Sequence, residues 1–488
     1  MSLTKRWHLL LSASVLLLGA TTAAHAVVTI SSAQTQNMTC ASGVCTPTAA
    51  DAVLNVNDLT TMLASGNATV NTGSGPLAQQ VEDIVVTASF DWASSNSLTL
   101  DAYRSVSVQQ PVAANGAGGV ALVTNDGGSG GTLAFIAGGS LSFLGTANGL
   151  SVNGTSYTLE NSVANLAATI AANPAGNYAL ANNYDAAPDG TYPGAPIAST
   201  LSGTVEGLGN TISNLSVVCS ARSCLSTGLF AYNAGAIRNI RLVSSAITAK
   251  TSLVTAGGLA ERSSGVLFNA FFSGSVKGGV TDVGGLVGEN SGTIANSGAD
   301  ARVEAEGGHN QDNDGSVGGL AGQNSGTISE SYAMGSVSQG KMLGRDLGGL
   351  VGESGGTIGN SYATAPVKGA DGGPRNGVSI GGLVGDSEAT ITDSYSTGHV
   401  DAACAEDVYV GGFIGVNEVN NTESDTYWDK KTSGDNKGVC TGTVTGITGV
   451  TTSQLKSGLP AGFDPTIWAE DPSINNGLPY LIANPPPQ

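Results

Sequence analysis

Residues 348–363 read GGLVGESGGTIGNSYA, and the pattern returns as GGLVGENSGTIANS at 284–297, GGLAGQNSGTISESYA at 318–333 and GGLVGDSEATITDSYS at 381–396. Looser copies begin at Thr227, Gly257 and Gly411. From Thr227 onward, successive copies start 30, 27, 34, 30, 33 and 30 residues apart. A period of this size is the signature of stacked supersecondary units. Within one unit the apolar pair Leu350-Val351 is followed by Ile358 and then Val367. These runs are too short for helices and are separated by Gly, Asn and Ser. They predict two or three short strands per unit, joined by tight turns in which glycine supplies positive φ. Equivalent residues should then stack as buried ladders: Leu286, Leu320, Leu350 and Leu383 in one, Ile294, Ile328, Ile358 and Ile391 in another. One unit cannot bury such a face alone, so several copies are needed. The expected fold is all-β, a parallel β-helix (β-solenoid) running as one rod with short helical insertions. Two polar, glycine-rich excursions, 305–316 and 369–379, read as loops leaving the rod on one side.

The composition fits. Glycine accounts for 71 of 488 residues, about twice its usual share, and charged residues for only 11%. Val, Ile and Leu recur at regular spacing, which disordered chains lack. Upstream, residues 50–155 keep short β runs such as those at 97–103, 120–123 and 133–135. Residues 162–172 (SVANLAATIAA) predict a helix with Val163, Leu166 and Ile170 on one face, stopped by Asn173-Pro174. A second short helix is expected at 452–458, and the Pro-rich end, 484–488, as a frayed tail.

The chain begins like an exported protein. Lys5 and Arg6 precede a mostly apolar stretch of about a dozen residues, and Ala24-His25-Ala26 is a small-x-small cleavage pattern. The whole chain carries 18 Lys+Arg and 37 Asp+Glu, a balance of −19. Residues 1–26 hold two of the bases and no acid, so the mature balance is −19 − 2 = −21. Such a surface repels nucleic acid and anionic membranes. Six cysteines remain: Cys40, Cys45, Cys219, Cys224, Cys404 and Cys440. An even count in an exported chain favours disulfides, with 40–45, 219–224 and 404–440 the simplest scheme.

At this point the residues resemble a known group. The segment 92–108 (WASSNSLTLDAYRSVSV) resembles the β-helix repeats of the filamentous haemagglutinin family, and 150–159, 178–183 and 201–212 resemble the linker that precedes GLUG repeats in it. The Gly-Gly-Leu-Val-Gly units look like GLUG motifs, and Tyr427-Trp428-Asp429 with 475–481 looks like the close of such arrays. The resemblance implies a right-handed parallel β-helix in an adhesin-like protein. It also implies secretion or display at the cell surface, associated with the outer membrane or released, with the periplasm left open. The organisation expected is a signal peptide at 1–26, an N-terminal cap and first coils at 27–90, haemagglutinin-type coils and linker at 91–225, the GLUG solenoid at 226–430, and a C-terminal cap and tail at 431–488. The expected partner is a host, matrix or cell-surface glycan or protein, with no nucleic acid and no membrane insertion after signal removal.

GLUG motifs also occur in some immunoglobulin-cleaving zinc peptidases, which need His-Glu-x-x-His; after the signal only His309 and His399 remain, without that spacing. Paired carboxylates on adjacent coils would suit glycan chemistry. Glu289, Glu353 and Asp386 stand sixth in their units, but Arg262, Gln323 and Val416 hold the same place in others, so the row reads as a solvated corner. Asn310-x-Asp312-x-Asp314-Gly315 opens like an EF-hand loop but has Ala321 where the bidentate Glu belongs, leaving at most weak, structural calcium. The expectation is therefore a binding rod and no enzyme: no catalytic, cofactor-binding or metal-ligating residue and no cofactor. The alternatives are a glycan-processing β-helix enzyme and a structural matrix protein with no specific ligand.

Overall fold

The computed structural model describes residues 26–73, 81–221, 224–250, 254–279, 281–305, 315–340, 346–369, 378–401, 408–418 and 421–487. Of the expected signal segment only Ala26 is among them. The fold is a parallel β-helix. Among the described residues the strands stack into sheets of 16, 14, 8, 6, 5 and 3 strands, nearly all paired in parallel with the equivalent strand of the next coil.

The ladders form as the repeat requires. Ile294 pairs with Ile328, Ile328 with Ile358 and Ile358 with Ile391, and all four are fully buried. The leucine ladder is also fully buried. It is carried by backbone bonds from Leu286 N to Leu320 O, from Leu320 N to Leu350 O and from Leu350 N to Leu383 O, each 2.9 Å. The repeated Asn and Ser residues build polar ladders beside them. Asn290 Nδ2 donates to Asn324 Oδ1 (2.7 Å), and Asn324 Nδ2 to Ser354 Oγ (3.1 Å). The backbone N–H groups of Ser297, Ser331 and Ser361 each donate to the serine hydroxyl of the next coil, at 3.1–3.2 Å. Buried polar groups that are satisfied in this way fix register without the cost of an orphaned donor.

The corners differ from expectation. One corner of every repeat coil is a left-handed residue, but it is Asn239, Asn269, Asn296, Glu330, Asn360, Asp393 or Asp425, with φ between 46° and 52° across the set. Asn and Asp tolerate this region because their short side chains bond locally. The repeated glycines are needed for close approach instead. A Cβ on Gly284 would lie 1.9 Å from Val287 O, and one on Gly348 would lie 1.8 Å from Val351 O.

The rod contains two cores, and a hairpin switches between them. Leu150–Val152 and Thr155–Glu160 pair antiparallel through a two-residue turn, Asn153 (φ 50°) and Gly154 (φ 75°). This is the type I′ geometry that suits the strand twist. Before it, the inward face carries Leu98, Leu100, Val120, Leu122 and Leu150. After it, strand direction in the 16-stranded sheet reverses and so does the buried face: Tyr178, Leu180 and Val205 enter the second core, while Leu159 and Ala179 on the other face still close the first. Glu206 is buried at this junction, its Oε1 accepting from Leu208 N (3.1 Å) and Asn239 Nδ2 (2.8 Å).

The helix at Val163–Ala172 forms as expected, capped by Ser162, with Val163, Leu166 and Ile170 buried. The later one is limited to Thr452–Leu455. A third helix, Val56–Ser65, was not expected; it covers the first core with Val56, Leu59 and Leu63. Cys40–Cys45 and Cys219–Cys224 are disulfides. Cys440 is disulfide-bonded as well, and its expected partner Cys404 lies outside the described residues. Such bonds fit an oxidising compartment. No described helix is long and apolar enough to cross a membrane.

The C-terminal tail is not frayed through its described length. It folds back along the 14-stranded sheet and covers an outward aromatic row, in which Tyr332 and Tyr362 stack at 5.3 Å and Tyr362 and Tyr395 at 5.1 Å. Trp468 and Phe463 pack on this row. Asn484, near the end, donates to Ser297 O and Glu330 O, both at 3.1 Å. Side-chain bonds to the coil backbone pin a segment whose composition alone reads as loose.

Candidate functional site

The outward side chains of the eight-stranded sheet form a row along the rod. Pairing places Tyr232 beside Arg262, then Glu289, Gln323, Glu353, Asp386 and Val416 on successive coils. Neighbouring positions are about 4.8 Å apart along the axis. The sequence-predicted acids therefore do line up. Glu353 and Asp386 are adjacent, while Gln323 separates Glu289 from them.

A second row, set by the residues that lead into the six-stranded sheet, faces the first. Thr255 Oγ1 donates to Glu289 Oε1 and Ser316 Oγ to Glu353 Oε2, each at 3.1 Å. Asp346, also in this row, was not singled out from the sequence. Burial pushes its carboxyl up to about 7, with Asp386 and Glu353 adding to the shift against a hydrogen bond from Ser379. Burial likewise pushes Asp386 up to about 6, helped by Glu418, Glu353 and Glu388. These groups can hold protons near neutrality, and functional sites often contain such perturbed carboxyls.

The row opens at its first coils into a cleft of about 980 Å³. The cleft is lined by Tyr192, Pro193, Leu225, Tyr232, Glu261 and Arg262, among others, and it adjoins a second hollow of about 400 Å³ over Arg262, Glu289, Asn290 and Gln323. Leu225 is 80% exposed and Tyr232 36%. Arg262 bridges two acids, reaching Glu289 at 3.0 Å and Glu261 at 3.7 Å. Glu261 accepts from Thr227 N (3.2 Å), and burial pushes it up to about 7.

Sequence reasoning missed this cleft, although a signal was present. The fifth position of the unit is glycine at Gly288, Gly322, Gly352, Gly385 and Gly415, where a Cβ would come within 2.1–2.7 Å of a neighbouring atom. The first two copies carry Ala231 and Glu261 there. Side chains fit only at this end, and there the surface is hollow.

The loop segments are placed by their flanks alone. Residues 306–314 join Gly298–Ala305 to Val317–Gly318, and 370–377 join Val367–Lys368 to Val378–Gly381. The flanks of both lie where the chain passes from the 14-stranded to the six-stranded sheet. Most of the expected loops, with His309 and the calcium-like residues Asn310, Asp312 and Asp314, lies outside the described residues. No cluster of described residues could hold a metal ion. His399 Nδ1 lies 3.3 Å from Thr432 O, away from both rows.

Two buried carboxyls, Glu206 and Glu261, and two half-buried ones, Asp346 and Asp386, thus have folded-state values of about 6 to 7, above ordinary carboxyls. A group raised on folding stabilises most below its unfolded value, and that contribution is lost as pH rises through the folded value. The carboxyls lowered on folding, Asp185, Asp464 and Asp471, are at the surface. Stability should fall between about pH 4 and pH 7, and the thermal midpoint should be higher at pH 5 than at pH 8. A higher midpoint at pH 8 would contradict the raised folded-state values of these groups.

No protein-family model and no curated protein matches the chain. Solved structures do. One, described as a putative immunoglobulin A1 protease from Bacteroides ovatus, is 18% identical with a TM-score of 0.41, over 63% of this chain and 85% of that one. Another, described as IgA1 protease, is 19% identical with a TM-score of 0.42, over 60% of this chain and 23% of its own length. The expectation that the chain is not an enzyme is corrected by these matches.

Proposed function

We propose that the protein is a secreted or surface-displayed β-helix that binds a host, matrix or cell-surface partner through one face of the rod. The face comprises the outward row of the eight-stranded sheet, the facing row that leads into the six-stranded sheet, and the loops that leave at the neighbouring corner. The observation that carries this reading is the row itself. Arg262, Glu289, Gln323, Glu353 and Asp386 repeat in register and open into a cleft with an exposed tyrosine and leucine. The repeated core residues are taken up by ladders and turns, whereas this row faces outward. The resemblance to filamentous haemagglutinin-type proteins supports the reading, as do the disulfides.

Binding spread over several coils is modest per contact and additive, so display at high density should strengthen it by avidity. Replacing 306–314 and 370–377 with Gly-Ser segments of equal length should leave the β circular dichroism signal intact. It should lower adhesion of protein-coated beads to cells or matrix several-fold. Undiminished adhesion would remove the loops from the binding face.

A further inference from the structure

The cleft at the head of the row lies where the repeat departs from its own rule at Ala231 and Glu261, and its chemistry narrows the ligand. Its rim carries Tyr192 and Tyr232, whose rings offer flat apolar surface with a polar edge. Tyr232 is held in place by a bond from its hydroxyl to Ser264 Oγ (2.7 Å). Along the floor run the planar polar side chains of Arg262, Glu289 and Gln323, with the hydroxyls of Ser291 and Ser325 beside them. Such groups exchange paired hydrogen bonds with vicinal hydroxyls.

The backbone of the floor is closed to an added strand. Phe230–Asn233, Ala260–Ser263 and Val287–Asn290 bond to one another. On the rim, Ala231 N donates to Ile197 O (2.9 Å) and Ile197 N to Leu229 O (3.0 Å). Recognition here must come from side chains, which disfavours an extended peptide pairing by β-augmentation. The coil spacing of about 4.8 Å is close to the advance of one pyranose unit in an extended chain. Successive sugars would therefore meet equivalent side-chain positions on successive coils. Glu261 and Glu289, on a chain with a mature balance of −21, repel an anionic polymer.

We propose that the cleft and its continuation over the next coils bind a neutral oligosaccharide laid along the rod axis, with Tyr232 as the stacking platform and Arg262, Glu289 and Gln323 bonding its hydroxyls. This rests on the reading of the same face as the binding face.

The test uses the mature protein and three neutral probes, cellotetraose, maltotetraose and tri-N-acetylchitotriose. A hyaluronan tetrasaccharide and a lysine-rich peptide serve as charge controls. Binding is followed by saturation-transfer NMR and calorimetry. At least one neutral probe should bind saturably and more tightly than either control. Tyr232→Ala should weaken it at least tenfold with an unchanged thermal midpoint, and Tyr232→Phe, which keeps the ring, should restore it. Failure of all neutral probes, binding indifferent to Tyr232→Ala, or preference for the lysine-rich peptide would each overturn the saccharide assignment. If the probes fail while bead adhesion still depends on Arg262 and Gln323, the face stands and only its ligand class is wrong. If adhesion is indifferent as well, both readings fall.

Discussion

Leu350→Asp is expected to open the rod around its coil. Leu350 is fully buried, and its backbone ties Leu320 to Leu383. Emptying a buried leucine site costs about 2–5 kcal/mol, and an unpaired carboxylate in the same place adds its desolvation. The coils on both sides depend on this rung, because a solenoid is stabilised by contacts between neighbours. The variant should show a large fall in thermal midpoint or fail to fold. Hydrogen exchange should rise first at 320–321, 350–351 and 383–384. An unchanged melting curve would contradict the stacked ladder. Leu225→Asp serves as the comparison: it alters an 80% exposed leucine and should leave the curve unmoved.

The second large effect is expected at Trp468. Its ring is 1% exposed and lies 4.6 Å from Phe463, 5.9 Å from Tyr395 and 6.0 Å from Tyr362. Its Nε1 donates to Asn360 Oδ1 at 2.9 Å. Trp468→Ala removes the main wedge holding the tail and should cost about 3–5 kcal/mol. The cost should appear locally, since the coils beneath pair with one another without the tail. Limited proteolysis should clip the chain between 451 and 484 and leave a folded rod. A dye that binds apolar surface should report the uncovered tyrosines. Protection equal to the native chain would mean that Asn484 and Asn475, whose Nδ2 donates to Tyr395 Oη (2.8 Å), hold the tail by themselves.

Much of this architecture was legible in the sequence because it is periodic. Leu350 and Ile358 could be assigned to buried ladders from spacing alone, since equivalent residues must stack if the units do. Features that break the period were harder to read. The change of buried face rests on Asn153-Gly154, a strong hairpin pair that was read only as part of a linker. The helix at Val56–Ser65 was missed although Val56, Leu59 and Leu63 follow helical spacing. At the corners the left-handed residue is Asn360 or Asp393, and the glycines answer to steric contact with the next strand, which spacing does not reveal.

The candidate site was half legible. The alignment of Glu289, Glu353 and Asp386 followed from their shared place in the unit. Asp346 did not, because its part depends on the strand leading into a different sheet coming to face that row. The cleft depends on a glycine position that admits Glu261 only where no further coil covers it, and on residues 193–198 that lie outside the repeat.

The most direct measurement compares bead adhesion of three proteins of equal folded content. The first is the native mature chain. The second carries Tyr232→Ala, Arg262→Ala and Gln323→Ala on the eight-stranded face. The third carries Lys277→Ala and Arg302→Ala, whose partner Glu304 (3.2 Å from each) lies on the 14-stranded face. Adhesion to cells or matrix should fall several-fold for the second protein and stay native-like for the third. Equal adhesion by all three would show that the partner is not held by the eight-stranded face.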